Sequence, residues 1–153
     1  MQKLFGAIFV TFLASFIGTL VTIPSIPTWY AALNKPMLNP PDWVFGPVWT
    51  TLYLLMSVAL YLVWKKGITK KNLYAVQLYM FQLVLNVLWS VIFFGLHLQH
   101  GGFGAIVTLW IVLLLTIIEF RKHSKQAAWL MLPTLLWVSF AAYLNFEIAC
   151  MNN

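Results

Sequence analysis

Acidic side chains are scarce in this chain: its 153 residues hold 3 Asp and Glu against 9 Lys and Arg. Asp42, Glu119 and Glu147 lie far apart in sequence, so no paired carboxylates are available for general acid–base work. Cysteine is nearly missing too. Cys150 stands alone, which excludes an internal disulfide framework and a cysteine metal cluster. No glycine-rich phosphate loop and no nucleophile with an adjacent base can be found. Charge of any kind is rare, at 8% of residues, while 62% are hydrophobic and 17% aromatic. A soluble domain of this size would have too few polar groups to cover its surface, which identifies an integral membrane protein. The formal charge of +6 raises nucleic acid as a partner, but cations clustered between apolar runs have a simpler cause in membrane orientation. No nucleic-acid partner is expected.

What is abundant is long apolar sequence. Five segments, at about 4–26, 43–64, 72–95, 102–121 and 127–149, each approach the roughly 20 residues that cross a bilayer as a helix. Backbone groups in lipid must be satisfied within each segment. The expected fold is therefore all-α, one membrane domain made of a five-helix bundle. The first run, Leu4 to Ile23, is longer than a signal core of about 7 to 15 residues and runs on into Pro24 and Pro27, so it reads as a retained helix.

With five spans, the N-terminus shares a side with the second and fourth connections. That side holds Lys3, Lys65, Lys66, Lys70, Lys71, Arg121, Lys122 and Lys125, and the other holds Lys35. The positive-inside rule then puts the N-terminus inside and the C-terminus outside, a bacterial cell membrane being the expected setting. The outer side carries the longest connection, from Pro27 to Asp42, where Trp29, Tyr30, Leu33, Met37 and Leu38 are apolar enough to fold back as a lid. Asp42 is placed to N-cap the second helix, and Pro47 to loosen its entry.

Helical spacing puts Phe45, Trp49, Tyr53 and Met56 on one stripe of the second span, and Gln82, Asn86, Trp89 and Phe93 on one face of the third. Pro133, Trp137, Ala141 and Asn145 line up on the fifth. At 1.5 Å per residue, Trp49 and Trp89 lie roughly 9 Å below the outer ends of their spans, Asn86 roughly 14 Å, and Trp137 and Ala141 roughly 18 and 12 Å. Their convergence would make a site for a flat, largely apolar ligand. Core packing is the competing reading, since uncharged amides also serve as interhelical glue, and Trp29, Trp43 and Trp64 near the span ends suit interfacial anchoring. His97, His100 and His123 fall in turns, where solvation is the simpler reading; only the first two are placed to reach a haem at the outer mouth.

The runs WYAALNKPMLNPPDWVFGPVWTTLYLLMSVALYLVW, QLVLNVLWSVIFFG and PTLLWVSFAAYLNFE resemble the tryptophan-rich sensory protein and translocator protein family, the peripheral-type benzodiazepine receptors. The resemblance implies five helices, a homodimer, and a pocket beneath the first long loop for porphyrins such as protoporphyrin IX and haem. It requires no cofactor. It places Trp29 and Tyr30 in the lid, and Phe45, Trp49, Asn86, Trp89, Phe93, Trp137, Ala141 and Leu144 in the pocket region, with Tyr53 joining from the helical stripe. Tyr143 is followed by LNFEIACMNN without the basic residue of the vertebrate sterol pattern, which tells against sterol binding there. Val58, Tyr61 and Lys65 fit that loose pattern by spacing alone. Small-xxx-small spacing is absent near Ala75 and Tyr79, and Ala14 with Gly18 offers a substitute for dimer packing. The leading expectation is porphyrin sensing, transport or regulation. Two others stand beside it: light- and oxygen-dependent porphyrin degradation using Trp49 and Trp137, and a non-catalytic scaffold acting through a partner.

Overall fold

The computed structural model describes residues 2–152. Five helices cross the molecule: α1 (Gln2–Tyr30), α2 (Asp42–Trp64), α3 (Leu73–Gly95), α4 (Gln99–His123) and α5 (Lys125–Met151). Around the bundle they run in the order α1, α2, α5, α4, α3, with α3 closing back onto α1. The eight clustered cations sit at or just beyond one set of helix ends, and Lys35 lies at the other. We call these the lysine end and the loop end.

Helix α1 is built inside out for a soluble protein and correctly for lipid. Its buried residues are small, Ala7, Thr11, Ala14, Gly18 and Ser25, whereas Phe5, Phe9, Phe16, Leu20 and Ile23 face outward. Lipid tails give large apolar groups no reason to hide, while small ones let backbones approach. A Cβ on Gly18 would stand 3.3 Å from Ser90 Oγ, so α1 meets α3 closely there. The Ala14 and Gly18 motif expected at a dimer interface is thus used within the protomer. The Tyr79 and Thr11 hydroxyls are hydrogen-bonded at 2.7 Å, and Ser25 Oγ donates to the Phe94 carbonyl at 2.6 Å.

The first helix outlasts its two prolines. Pro24 and Pro27 have no N–H, which deprives the Leu20 and Ile23 carbonyls of their usual donors. The chain continues through a wide π turn, Ile26–Tyr30, while Thr28 Oγ1 donates to the Pro24 carbonyl at 2.9 Å. Trp29 and Tyr30, expected in the lid, are therefore the last turn of α1. Lid residues 33–41 are shorter than foreseen. The lid is clasped rather than loose: Tyr30 donates to Asn39 Oδ1 at 2.7 Å, and Asn152 exchanges two 2.9 Å bonds with the Asn34 backbone. Met37 and Leu38, expected to fold back, are exposed at a turn closed by Asn39 N–H and the Pro36 carbonyl. Leu33 does pack against the core.

Two smaller expectations change. Pro41, not Asp42, caps α2, because its extended backbone (ψ 144°) lets its carbonyl accept the Val44 N–H. Asp42 occupies the first turn, where a carboxylate still complements the helix dipole. His100 and His123 lie inside α4, whose Glu119 pairs with Lys122 at 2.6 Å with its own side chain largely covered.

Where α3 meets α4 and α5, Gly102 has no room for a side chain: a Cβ would fall 2.8 Å from Phe93 Cδ2 and 3.0 Å from Asn145 Oδ1. Gly104, two residues on, would meet nothing within 4 Å. Gly102→Ala is expected to cost about 1–3 kcal/mol, read as a lowered unfolding midpoint in detergent. Gly104→Ala should leave the midpoint unchanged or raise it slightly.

Candidate functional site

At the loop end, α1, α2 and α3 diverge around a cavity of about 380 Å³, within the range of small-molecule sites. Helix α2 supplies Asp42, Trp43, Phe45, Gly46, Trp49, Thr50 and Tyr53; α3 supplies Asn86, Trp89, Ser90 and Phe94. Helix α1 supplies Ser15, Gly18, Thr19, Thr22, Ile23, Ile26 and Tyr30. These α1 positions recur at spacings of three and four, one face of a helix. That wall was not foreseen. Its legible signal was a run of small and hydroxyl side chains in a helix otherwise rich in Phe, Leu and Ile.

Of the residues singled out from sequence, Tyr30, Phe45, Trp49, Tyr53, Asn86 and Trp89 line the cavity together. Trp29, Phe93, Trp137, Ala141 and Leu144 do not. Helix order accounts for the three on α5, which packs on the far side of α2 from α1. Trp137 stands one ring behind the wall, edge-on to Phe45 with centroids 6.0 Å apart, and Ala141 and Leu144 are buried in the bundle core. Phe93 leaves the cavity face because α3 ends in a second π turn, Val91–Gly95, which brings Phe94 round in its place. Phe93 instead stacks on Trp89 (5.9 Å) and meets Trp29 edge-on (5.4 Å). Trp29 in turn stacks at 4.4 Å on His97, which holds a left-handed backbone (φ 58°) in the α3–α4 link.

The inner end of the cavity is an aromatic corner with one amide in it. Trp49 lies 5.7 Å from Tyr53 and 6.3 Å from Trp89 between ring centroids. Tyr53 donates to Asn86 Oδ1 at 2.9 Å, which fixes the amide orientation and leaves Asn86 Nδ2 buried without a partner. An unpaired buried donor is costly. Asn86 is itself one of the residues that line the cavity. Trp89 is held from behind: its Nε1 donates to Asn145 Oδ1 at 3.1 Å, and Asn145 Nδ2 donates to the Gln99 carbonyl at 2.9 Å. Its indole N–H is spent on structure, so Trp89 offers the cavity its ring. The one carboxylate in the lining, Asp42, sits exposed at the rim. Among the described residues no group of three or more His, Cys, Asp or Glu could hold a metal ion. The chemistry available is stacking plus one or two hydrogen bonds.

Tyr53→Phe should strip Asn86 of its remaining bond and lower stability by about 1 kcal/mol in a detergent melt. Adding Asn86→Leu should recover part of that loss, because the amide that was stranded is removed with its partner.

Comparison with known proteins agrees with this architecture. A profile of the TspO/MBR family matches residues 7–151. The chain is 41% identical over 150 residues to the tryptophan-rich protein TspO of Archaeoglobus fulgidus, covering 98% of this chain and 97% of that one. It is 36% identical to the tryptophan-rich sensory protein of Cereibacter sphaeroides over 95% of this chain and 92% of that one. To the human translocator protein it is 44% identical over 77% of this chain and 71% of that one. The five apolar helices and these matches over nearly the whole chain make it an integral membrane protein of the TspO/MBR family.

Proposed function

We propose that the cavity between α1, α2 and α3 is a receptor or transport site for a flat, apolar ligand of the porphyrin class, protoporphyrin IX or haem. The observation that carries this reading is the corner of Trp49, Trp89 and Tyr53 around the unpartnered Asn86 amide. Aromatic faces stack on a macrocycle, and Asn86 Nδ2 donates to an oxygen at its edge. The polar propionates would lie toward the lid and Lys35, whose ammonium sits 4.9 Å over the Tyr30 ring. Sensing, transport and regulation of tetrapyrroles all use such a site. A photochemical role needing both Trp49 and Trp137 at the ligand has less support, since Trp137 is behind Phe45.

Trp49→Ala should weaken protoporphyrin IX binding about tenfold or more in fluorescence titrations, as the loss of one stacking face of roughly 1.5 kcal/mol requires. Trp137→Ala should change it far less. Unchanged affinity in Trp49→Ala would sink the assignment.

We also propose that the lysine end faces the cytoplasm of a bacterial cell, on the segregation of cations between the two ends. Cys150 is exposed one residue before the end of α5, at the loop end. A membrane-impermeant maleimide added to intact spheroplasts should therefore label it without lysis, and labelling only after lysis would reverse the orientation.

A further inference from the structure

The lid beside the cavity is clasped, and the α1–α2 side of the cavity is lined by exposed residues. Tyr30 is almost fully buried and bonded to Asn39, and the lid is clasped to the end of α5 through Asn34 and Asn152. Below the cavity, α1 and α2 are tied together at the lysine end. Trp64 Nε1 donates to the Lys3 carbonyl at 3.1 Å, Lys3 Nζ donates to the Lys65 carbonyl at 3.0 Å, and the Trp64 ring covers Gly6. Phe12 and Tyr53 meet further along, with ring centroids 6.3 Å apart.

Beyond that contact the two helices part. The lining residues at the edges of the gap, Thr19 and Ile23 on α1 and Trp43, Gly46 and Thr50 on α2, are all exposed. A Cβ on Gly46 would meet nothing within 4 Å. Gly46 and Thr50 lie roughly 6 and 12 Å along α2 from Asp42, which places the gap against hydrocarbon rather than water. Thr50 keeps its hydroxyl out of lipid by donating to the Gly46 carbonyl at 2.9 Å, so both edges of the gap tolerate an apolar neighbour.

We infer that the cavity fills sideways from the bilayer, through the slot between α1 and α2 at Gly46, while the lid stays closed. The ligand class is then restricted to molecules that dissolve in the membrane first, and a flat ring enters edge-on between two helices. This rests on the porphyrin-class reading for its probe but not for its geometry. Slot width, not lid motion, sets the rate of exchange.

The test uses the full chain in phosphatidylcholine nanodiscs and stopped-flow quenching of tryptophan emission by protoporphyrin IX. Gly46→Leu should slow association and dissociation together, each by about tenfold, because a plugged passage obstructs both directions. A damaged site would instead speed dissociation, and that result would overturn the inference. Asn152→Ala, which unclasps the lid, should leave both rates unchanged; faster exchange in that variant would make the lid the gate. If the unmodified chain binds no protoporphyrin IX, the functional reading fails and a ligand-free measurement decides the slot. Acyl-chain-brominated phosphatidylcholine should quench the share of emission that Trp49→Phe removes, and Gly46→Leu should protect that share. No quenching of the Trp49 share in the unmodified chain would contradict lateral access.

Discussion

The close approach of α1 to α3 is the contact on which the site depends. It is made by small residues and hydroxyls: Thr11 against Tyr79, Gly18 against Ser90, and Ser25 donating to the Phe94 carbonyl. In hydrocarbon no large apolar residue gains by burial between helices, so packing of small groups and a few hydrogen bonds must hold α1 in place. The seam fixes α1 along α3 and lets it diverge from α2 near the loop end. Without it the cavity would have two walls. The two π turns belong to the same arrangement, since one carries α1 past its prolines to Tyr30 and the other brings Phe94 onto the cavity face.

Polarity inside the bundle is sparse and placed with economy. Gln82 and Asn86 are one turn apart on α3 and both fully or nearly buried. Each leaves an atom without a partner, Gln82 Oε1 and Asn86 Nδ2. Gln82 is deep among core side chains, its Nε2 lying 3.8 Å from Met56 Sδ. Asn86 lines the cavity and Gln82 does not; the Trp137 Nε1 donor is buried without a partner as well. Around Asn86 the rings are braced by one another and by Asn145, so the corner is preformed, and preformed sites lose little free energy to ordering on binding.

Much of this was legible in sequence, and the failures have physical causes. Five spans follow from apolar run length, and segregation of the cations from their positions between runs. The stripes on α2 and α3 were read from spacing, and Phe45, Trp49, Tyr53, Asn86 and Trp89 do meet in one cavity. Periodicity gives a face but not the neighbour it looks at. That is why α5, whose stripe was equally clear, was set in the pocket while α2 in fact separates it from α1. The α1 wall was overlooked because Ala14 and Gly18 were read as a contact between copies, and small residues look alike whether they pack within a protomer or between two. Trp29 and Tyr30 were put in the lid because the connection was taken to begin at Pro27, whereas the helix carries on past its prolines through a π turn that keeps the freed backbone groups within the span. The same kind of turn exchanged Phe93 for Phe94, a one-residue slip that no periodic rule anticipates.

The central claim is that α1, with α2 and α3, encloses the ligand. A crystal structure of the chain soaked or grown with protoporphyrin IX tests it most directly. The account predicts macrocycle density between α1, α2 and α3, in contact with Trp49 and with an oxygen near Asn86 Nδ2. Density on the other side of Phe45, beside Trp137 and Ala141, would contradict it.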